Sequence, residues 1–267
     1  MSKREQIKEM VRNLIRRQLL TGRFPSSAHP YAPVSGREAV VLMCLWNRPS
    51  RLPEILERLD GQDFPDGVRL YLWNNNRRDR AIYKKALAEH RSAGAGALHQ
   101  VDLVTSVFNV GSIARFYWAR RLALKGYTGP IIVLDDDQNF ECSFVSTAFE
   151  HYDPRALTSW WAFTIHGAYW QRAPAVPGGD VDYAGTGGMI CNSDIFLDAD
   201  FFTTIPGRFW MIDDMWLNYF ATGKGYTLRK LPVHIEAVME ETNQYHHQVE
   251  LKEEFYRLLY PAAASSN

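Results

Sequence analysis

The chain has 267 residues, enough to bury one substantial core and better suited to one large domain than to two small ones. Hydrophobic residues make up 46% and charged residues 22%, which excludes a largely disordered chain. The 30 basic and 30 acidic residues give a formal net charge of zero, so bulk attraction to nucleic acid or an anionic membrane is excluded while a local patch is not.

No apolar run approaches the roughly 20 residues that span a bilayer. The opening residues lack the apolar core of a secretory signal, so a cytoplasmic protein is expected. Cys44, Cys142 and Cys191 show no CxxC spacing and suggest neither a disulfide framework nor a zinc site.

Ile7, Met10, Val11, Leu14 and Ile15 recur at helical spacing between charged residues, predicting an amphipathic first helix. Its "RNLIRR" stretch is either a solvated basic face or a docking surface for a membrane or partner. A Pro/Gly/Ser-containing connector at 22–37 completes an N-terminal segment, 1–38.

Apolar strands then alternate with helices. "AVVLMCLW" (39–46) is a strand, and "SRLPEILERLDGQ" (50–62) is a helix opened by Ser50 and closed near Gly61. "VRLYLW" (68–73) is a strand and "DRAIYKKALAEHR" (79–91) a helix. "HQVDLVTS" (99–106), "SIARFYWARRLALK" (112–125) and "PIIVLD" (130–135) continue as strand, helix and strand. Continuous apolar strands belong to a parallel sheet covered on both faces. The fold class is therefore α/β, an open and mostly parallel central sheet with helices on both faces in a single domain, with ligands beyond the carboxyl ends of the strands. No GxGxxG follows the first strand, which speaks against a dinucleotide-binding dehydrogenase. Residues 141–245 are aromatic, then glycine-rich, then a helix with an acidic start, "MIDDMWLNYFATGKGY"; they form the second half of a domain spanning 39–245, whose first half is 39–140. A helix and tail, 246–267, end the chain.

The strand ends carry the chemistry. Asp135, Asp136 and Asp137 follow a buried strand directly, and a D-x-D arrangement there aims the outer two carboxylates at one point. Hard oxygen ligands suit Mn²⁺ or Mg²⁺ shared with phosphate oxygens and water; the competing reading is an acidic turn that caps the next helix. Asp213 and Asp214 stand where a helix begins, where one aspartate serves as a cap, but two exceed what capping needs.

The ordered set "VVLMCLWNRPSRLPEILERLDGQDFPDGVRLYLWNNN", "NVGSIAR" and "IIVLDDD", followed by "VDYAGTGGMICNSDIF" and "MIDDMWLNYFATGKGY", resembles the GT-A glycosyltransferases, in a bacterial and phage branch related to family two. The resemblance spans roughly residues 39 to 230, and it implies that 39–140 is the nucleotide-sugar half and 141–245 the acceptor half. It implies transfer of a sugar from a nucleotide-diphosphate donor, with UDP as the leaving group, to an acceptor hydroxyl on a glycan, a protein or modified DNA. It implies that Asn74 and Asn75 lie near the nucleotide base, and that Asn109 and Arg115 reach the donor. Asp135 would meet the ribose or sugar, Asp137 would ligate the metal, and Asp136 would be a spacer or minor contact. Gly187 and Gly188, in "GTGG", would line the transferred sugar. Asp214, with Asp213 as the lesser candidate, would be the general base, and His246 or His247 would add a C-terminal metal ligand. Two rivals stay open: a nucleotidyltransferase using the same aspartates for metal, and a non-catalytic carbohydrate-binding module, for which the aromatics of 160–170 would suffice.

Overall fold

The computed structural model describes residues 3–93, 96–177, 179, 181–238 and 248–261. Helix α1 (Lys3–Leu20) leads to a short strand β1 (Ser27–Pro30), after which strands and helices alternate: β2 (Ala39–Leu45), α2 (Leu52–Asp60), β3 (Val68–Asn74), α3 (Arg80–Ala93), β4 (Leu98–Thr105), α4 (Arg115–Leu124) and β5 (Pro130–Leu134). The second half is built from shorter pieces: β6 (Gln138–Phe140), α5 (Phe144–Glu150), β7 (Ala156–Ser159), β8 (Ala162–Ile165), β9 (Arg172–Pro174), β10 (Tyr183–Ala184) and β11 (Met189–Asn192). Helices α6 (Asp200–Thr203) and α7 (Asp213–Thr222), strands β12 (Thr227–Lys230) and β13 (Ile235–Ala237), and helix α8 (Val249–Leu259) complete it.

Eight strands form the central sheet in the order β1-β4-β3-β2-β5-β11-β7-β12. The pairs β4/β3, β3/β2, β2/β5 and β7/β12 are parallel; β1/β4, β5/β11 and β11/β7 are antiparallel. The pleat divides β2 between two cores. Val41, Met43 and Leu45 face α2, α3 and α5 through Ile55, Leu56, Tyr83, Leu87 and Phe144. Val40 and Leu42 face the opposite layer, where Phe116, Trp118, Leu19, Trp216 and Phe255 come from α4, α1, α7 and α8. Burial on both faces is why these strands read as unbroken apolar runs.

Two local expectations are corrected. Ser50 does not open a helix by capping: Pro49–Arg51 form a 3₁₀ turn, and α2 begins after Arg51 with no side-chain cap and with a proline in its first turn, a residue whose fixed φ and missing N–H suit that position. The connector at 22–37 contains β1, an antiparallel edge strand on β4. Its sequence, "SAHP", has no apolar alternation, and a proline is tolerated there because the edge leaves its missing donor unneeded.

The antiparallel β11 sets the geometry of the cleft. Met189 lies opposite Val133, so the loop that precedes β11 emerges at the carboxyl end of β5. Glycines far away in sequence therefore meet the aspartates.

Candidate active site

β2 and β5 are parallel neighbours, and their ends deliver Trp46–Arg48 and Asp135–Asp137 side by side. Asp136 turns inward, 6% exposed. It accepts from the Trp46 backbone N–H at 2.9 Å and from Arg48 Nη1 at 2.8 Å. The expected spacer is thus the member that ties the two strand ends together. Burial pushes its carboxyl up to about 6 against the pull of Arg48. Asp137 stands 3.4 Å from Arg48 Nη2 and is pushed up to about 7, by burial and then by the charges of Asp135 and Asp136. Asp135, the most exposed of the three, accepts from Arg115 Nη1 at 2.6 Å.

Asp135 and Asp137 both line a cleft of about 220 Å³. Three carboxylates there share the positive charge of Arg48 and Arg115, and the repulsion that raises Asp137 is what a divalent cation would relieve. Among the described residues no three His, Cys, Asp or Glu side chains form a cage. Two carboxylates nonetheless fit a cation of the Mg²⁺ kind, which completes its shell with phosphate oxygens and water. His246 and His247 lie outside the described residues.

The asparagines hold the backbone in place. Asn75 donates to the Gly111 carbonyl at 3.0 Å and accepts from Val110 N–H at 3.0 Å, stapling the loop after β4 to the end of β3. Asn109 accepts from Gly111 N–H at 2.8 Å. Gly111 has φ +91°, and a Cβ there would fall 2.6 Å from the Trp210 carbonyl oxygen, so this turn requires glycine. Asn75 and Asn109 line the cleft with their amides engaged in the loop. Asn74 is fully buried, accepts from Asn76 N–H at 2.8 Å and is not among the lining residues. Its side-chain oxygen serves the turn after β3, while its amide nitrogen is buried without a hydrogen-bond partner among the described residues.

Arg115 is 3% exposed and joins the two walls. It donates to the carbonyls of Ser112 (3.1 Å) and Leu134 (3.0 Å), pairs with Asp135 at 2.6 Å and lies 3.2 Å from Asp213. It lines the cleft with its guanidinium engaged by these carbonyls and carboxylates. Asp213 is locked in this pair; burial raises its carboxyl to about 6 in spite of Arg115. Asp214 behaves differently. Burial opposes its ionisation, but Lys252, the Tyr183 hydroxyl and the Met215 N–H together hold its carboxyl below the ordinary value. Lys252 Nζ sits 3.2 Å from Asp214 Oδ2, and Met215 N–H donates to Oδ1 at 2.8 Å. Tyr183 also donates to Oδ2. At neutral pH Asp213 and Asp214 are distinct groups, one buried in an ion pair and one ionised at the cleft.

Gly187 leaves room for the aspartates: a Cβ there would fall 2.6 Å from Asp135 Oδ2 and 2.5 Å from Gln138 Nε2. Gly188 adopts φ +74° against Ile235 and Trp160, and Thr186 lines the cleft. Cys44 lies on the same wall with its thiol pointing at the Ser112 carbonyl, 3.4 Å away, and burial pushes it up to about 12.

Arg48, Tyr183 and Lys252 escaped the sequence reading as individuals. Arg48 had a signal, its place just past the end of the first strand. Lys252 had none, since one lysine in a charged terminal helix looks like any other.

No family model matches the chain, and no curated protein does. Solved structures do. TarS from S. aureus, as residues 1–349 in complex with UDP, is 14% identical at a TM-score of 0.50 over 76% of this chain and 61% of that one. A second TarS crystal structure is 13% identical at 0.52, over 83% and 39%. The mannosyltransferase PcManGT from Pyrobaculum calidifontis, in complex with GDP-Man and Mn²⁺, is 14% identical at 0.52, over 97% and 72%. The chain spans less than two thirds of either TarS chain. The class that this likeness defines is a fold: a GT-A-like α/β domain of the kind found in glycosyltransferases.

Proposed function

We propose that this protein is a metal-dependent glycosyltransferase that moves a sugar from a nucleotide-diphosphate donor, UDP-linked, to an acceptor hydroxyl. The observation that carries the reading is the division of one cleft between Asp135 and Asp137 at the end of β5 and an ionised Asp214 at the start of α7. It is supported by structural neighbours solved with UDP, or with GDP-Man and Mn²⁺. The nucleotidyltransferase alternative loses ground at the end of β2, where the Trp46 N–H and the Arg48 guanidinium are spent on Asp136 and not arranged as a phosphate loop.

Asp137 and Asp135 would hold Mn²⁺ or Mg²⁺. When bound, the cation supplies positive charge to the diphosphate as it departs. Arg48 fixes the aspartates that hold it, and Arg115 keeps Asp135 and Asp213 in register. A carboxylate offers about four acceptor positions. Tyr183, Lys252 and Met215 N–H take three of those on Asp214, leaving one for the acceptor hydroxyl. As the acceptor oxygen bonds to the anomeric carbon, the bond from that carbon to the diphosphate oxygen breaks and the hydroxyl proton passes to Asp214. The products are a glycoside and a nucleoside diphosphate.

A thermal-shift screen of nucleotide sugars with and without Mn²⁺ tests the donor half, and product analysis with candidate acceptors tests the rest. D137A is expected to lose metal-dependent stabilisation by donor. D214N is expected to keep it and to lose transfer by roughly 10²–10⁴-fold. If no nucleotide sugar stabilises the protein in the presence of Mn²⁺, or if D214N transfers at the wild-type rate, the assignment is wrong.

A further inference from the structure

Among the described side chains of helix α1, residues 10–20, those that pack on the core lie toward one side. Leu19 is buried, Ile15 and Leu20 pack partly against the core, and the Leu20 carbonyl accepts from Arg120 Nε at 2.7 Å. On the outer side Met10, Val11 and Leu14 are 57%, 45% and 58% exposed. Their spacing, i, i+1 and i+4, makes one continuous apolar stripe. Arg12 and Arg17, both exposed, lie beside it.

The charge is as uneven as the exposure. Residues 3–20 contain six Lys or Arg and two Glu, a net charge of +4, in a chain whose total is zero. A second exposed apolar residue lies in a neighbouring loop. The Arg12 guanidinium lies 5.8 Å from the centre of the Phe108 ring, so the loop after β4 adjoins α1, and Val107 in that loop is 63% exposed. Two residues further on, Asn109 lines the cleft.

We infer that α1 and the Val107 loop form a docking surface for an anionic lipid bilayer, which seats the mouth of the cleft at the membrane. Three adjacent exposed apolar side chains have no use on a nucleic-acid surface, and arginines concentrated beside them match acidic headgroups; an interfacial helix combines these two features. The described helices include none long and apolar enough to cross a membrane, so the contact is with the surface. The inference stands apart from the proposed reaction, because it concerns where the protein sits and needs no donor or acceptor to be tested.

The test is flotation of the full chain with vesicles of phosphatidylcholine alone or an equimolar mixture with phosphatidylglycerol. Binding is expected with the anionic vesicles, weakening as salt is raised, and absent with the neutral ones. M10E/L14E and, separately, R17E should each lower binding roughly tenfold or more. All three positions are exposed, so melting temperatures should match wild type. Equal binding by wild type and M10E/L14E, or no binding to anionic vesicles, overturns the inference. So does a dimer, seen by light scattering, that M10E/L14E dissolves, which would assign the stripe to a second copy. Salt-sensitive binding to duplex DNA that R17E abolishes and M10E/L14E leaves intact, without vesicle binding, would assign the charge to nucleic acid instead.

Discussion

Replacing Arg115 with methionine removes the one cation shared by Asp135 and Asp213 and keeps much of the side chain's length. The Arg115 and Asp213 side chains are 4% and 5% exposed, so this pair is out of water, and breaking it strands a buried carboxylate. Losing one member of such a pair costs about 3–5 kcal/mol. The Asp135 side chain is 38% exposed, and its half of the interaction is screened, worth no more than about 1 kcal/mol. The carbonyls of Ser112 and Leu134 also lose their donor. The expected loss is therefore about 3–5 kcal/mol, dominated by Asp213, or on the order of 10 °C in melting temperature. Urea denaturation of wild type, R115M, D213N and R115M/D213N measures it. The double variant should recover part of the loss, because the stranded carboxylate is gone, with a coupling of about 1–3 kcal/mol. If R115M costs less than about 1 kcal/mol, or if D213N fails to rescue any of it, Arg115 is not the hinge between the two walls.

Glu38 predicts a pH effect far from the cleft. It is buried, which works against ionisation, yet hydrogen bonds from the Ser35 N–H, its own N–H, His99 and the Ser35 hydroxyl lower its carboxyl to about 2. A folded-state pKa below the unfolded one contributes stability that is present above about pH 5 and lost as pH falls toward 2, about 3 kcal/mol in all. E38Q should flatten that acid limb in urea midpoints measured against pH; an unchanged slope would refute the assignment. At the cleft, K252M should raise the carboxyl pKa of Asp214 and move the acid limb of the pH–rate profile to higher pH, while K252R restores it. An acid limb that stays put would show that Lys252 does not act through Asp214.

The parallel half of the sheet was legible in the sequence because β2, β3 and β5 are buried on both faces and spell it in unbroken aliphatic runs. The aspartates were legible for the same reason: charge directly after such a run has to sit at a strand end. Their division of labour was not. Which of three adjacent carboxylates turns inward depends on Arg48 and the Trp46 N–H, about 90 residues away, and on the register of β2 with β5. The meeting of Gly187 with Asp135 likewise depends on β11 running antiparallel, which no local pattern announces. Asn74 was equally illegible in detail: a polar residue at a strand end looks like a ligand contact, and which of its side-chain atoms serves the backbone of the next turn shows only in the fold. Lys252 reaches Asp214 only because α8 packs back beside α7, a purely tertiary event.

The three cysteines have a practical consequence. A thiol reacts as its thiolate. Cys44 is held protonated by burial, the Cys191 thiol is buried and driven higher still, and Cys142 is exposed at the start of α5. The unaltered chain is thus a single-site substrate for maleimide labelling. A fluorophore or spin label can therefore be placed at Cys142, just before α5, with no engineered substitution.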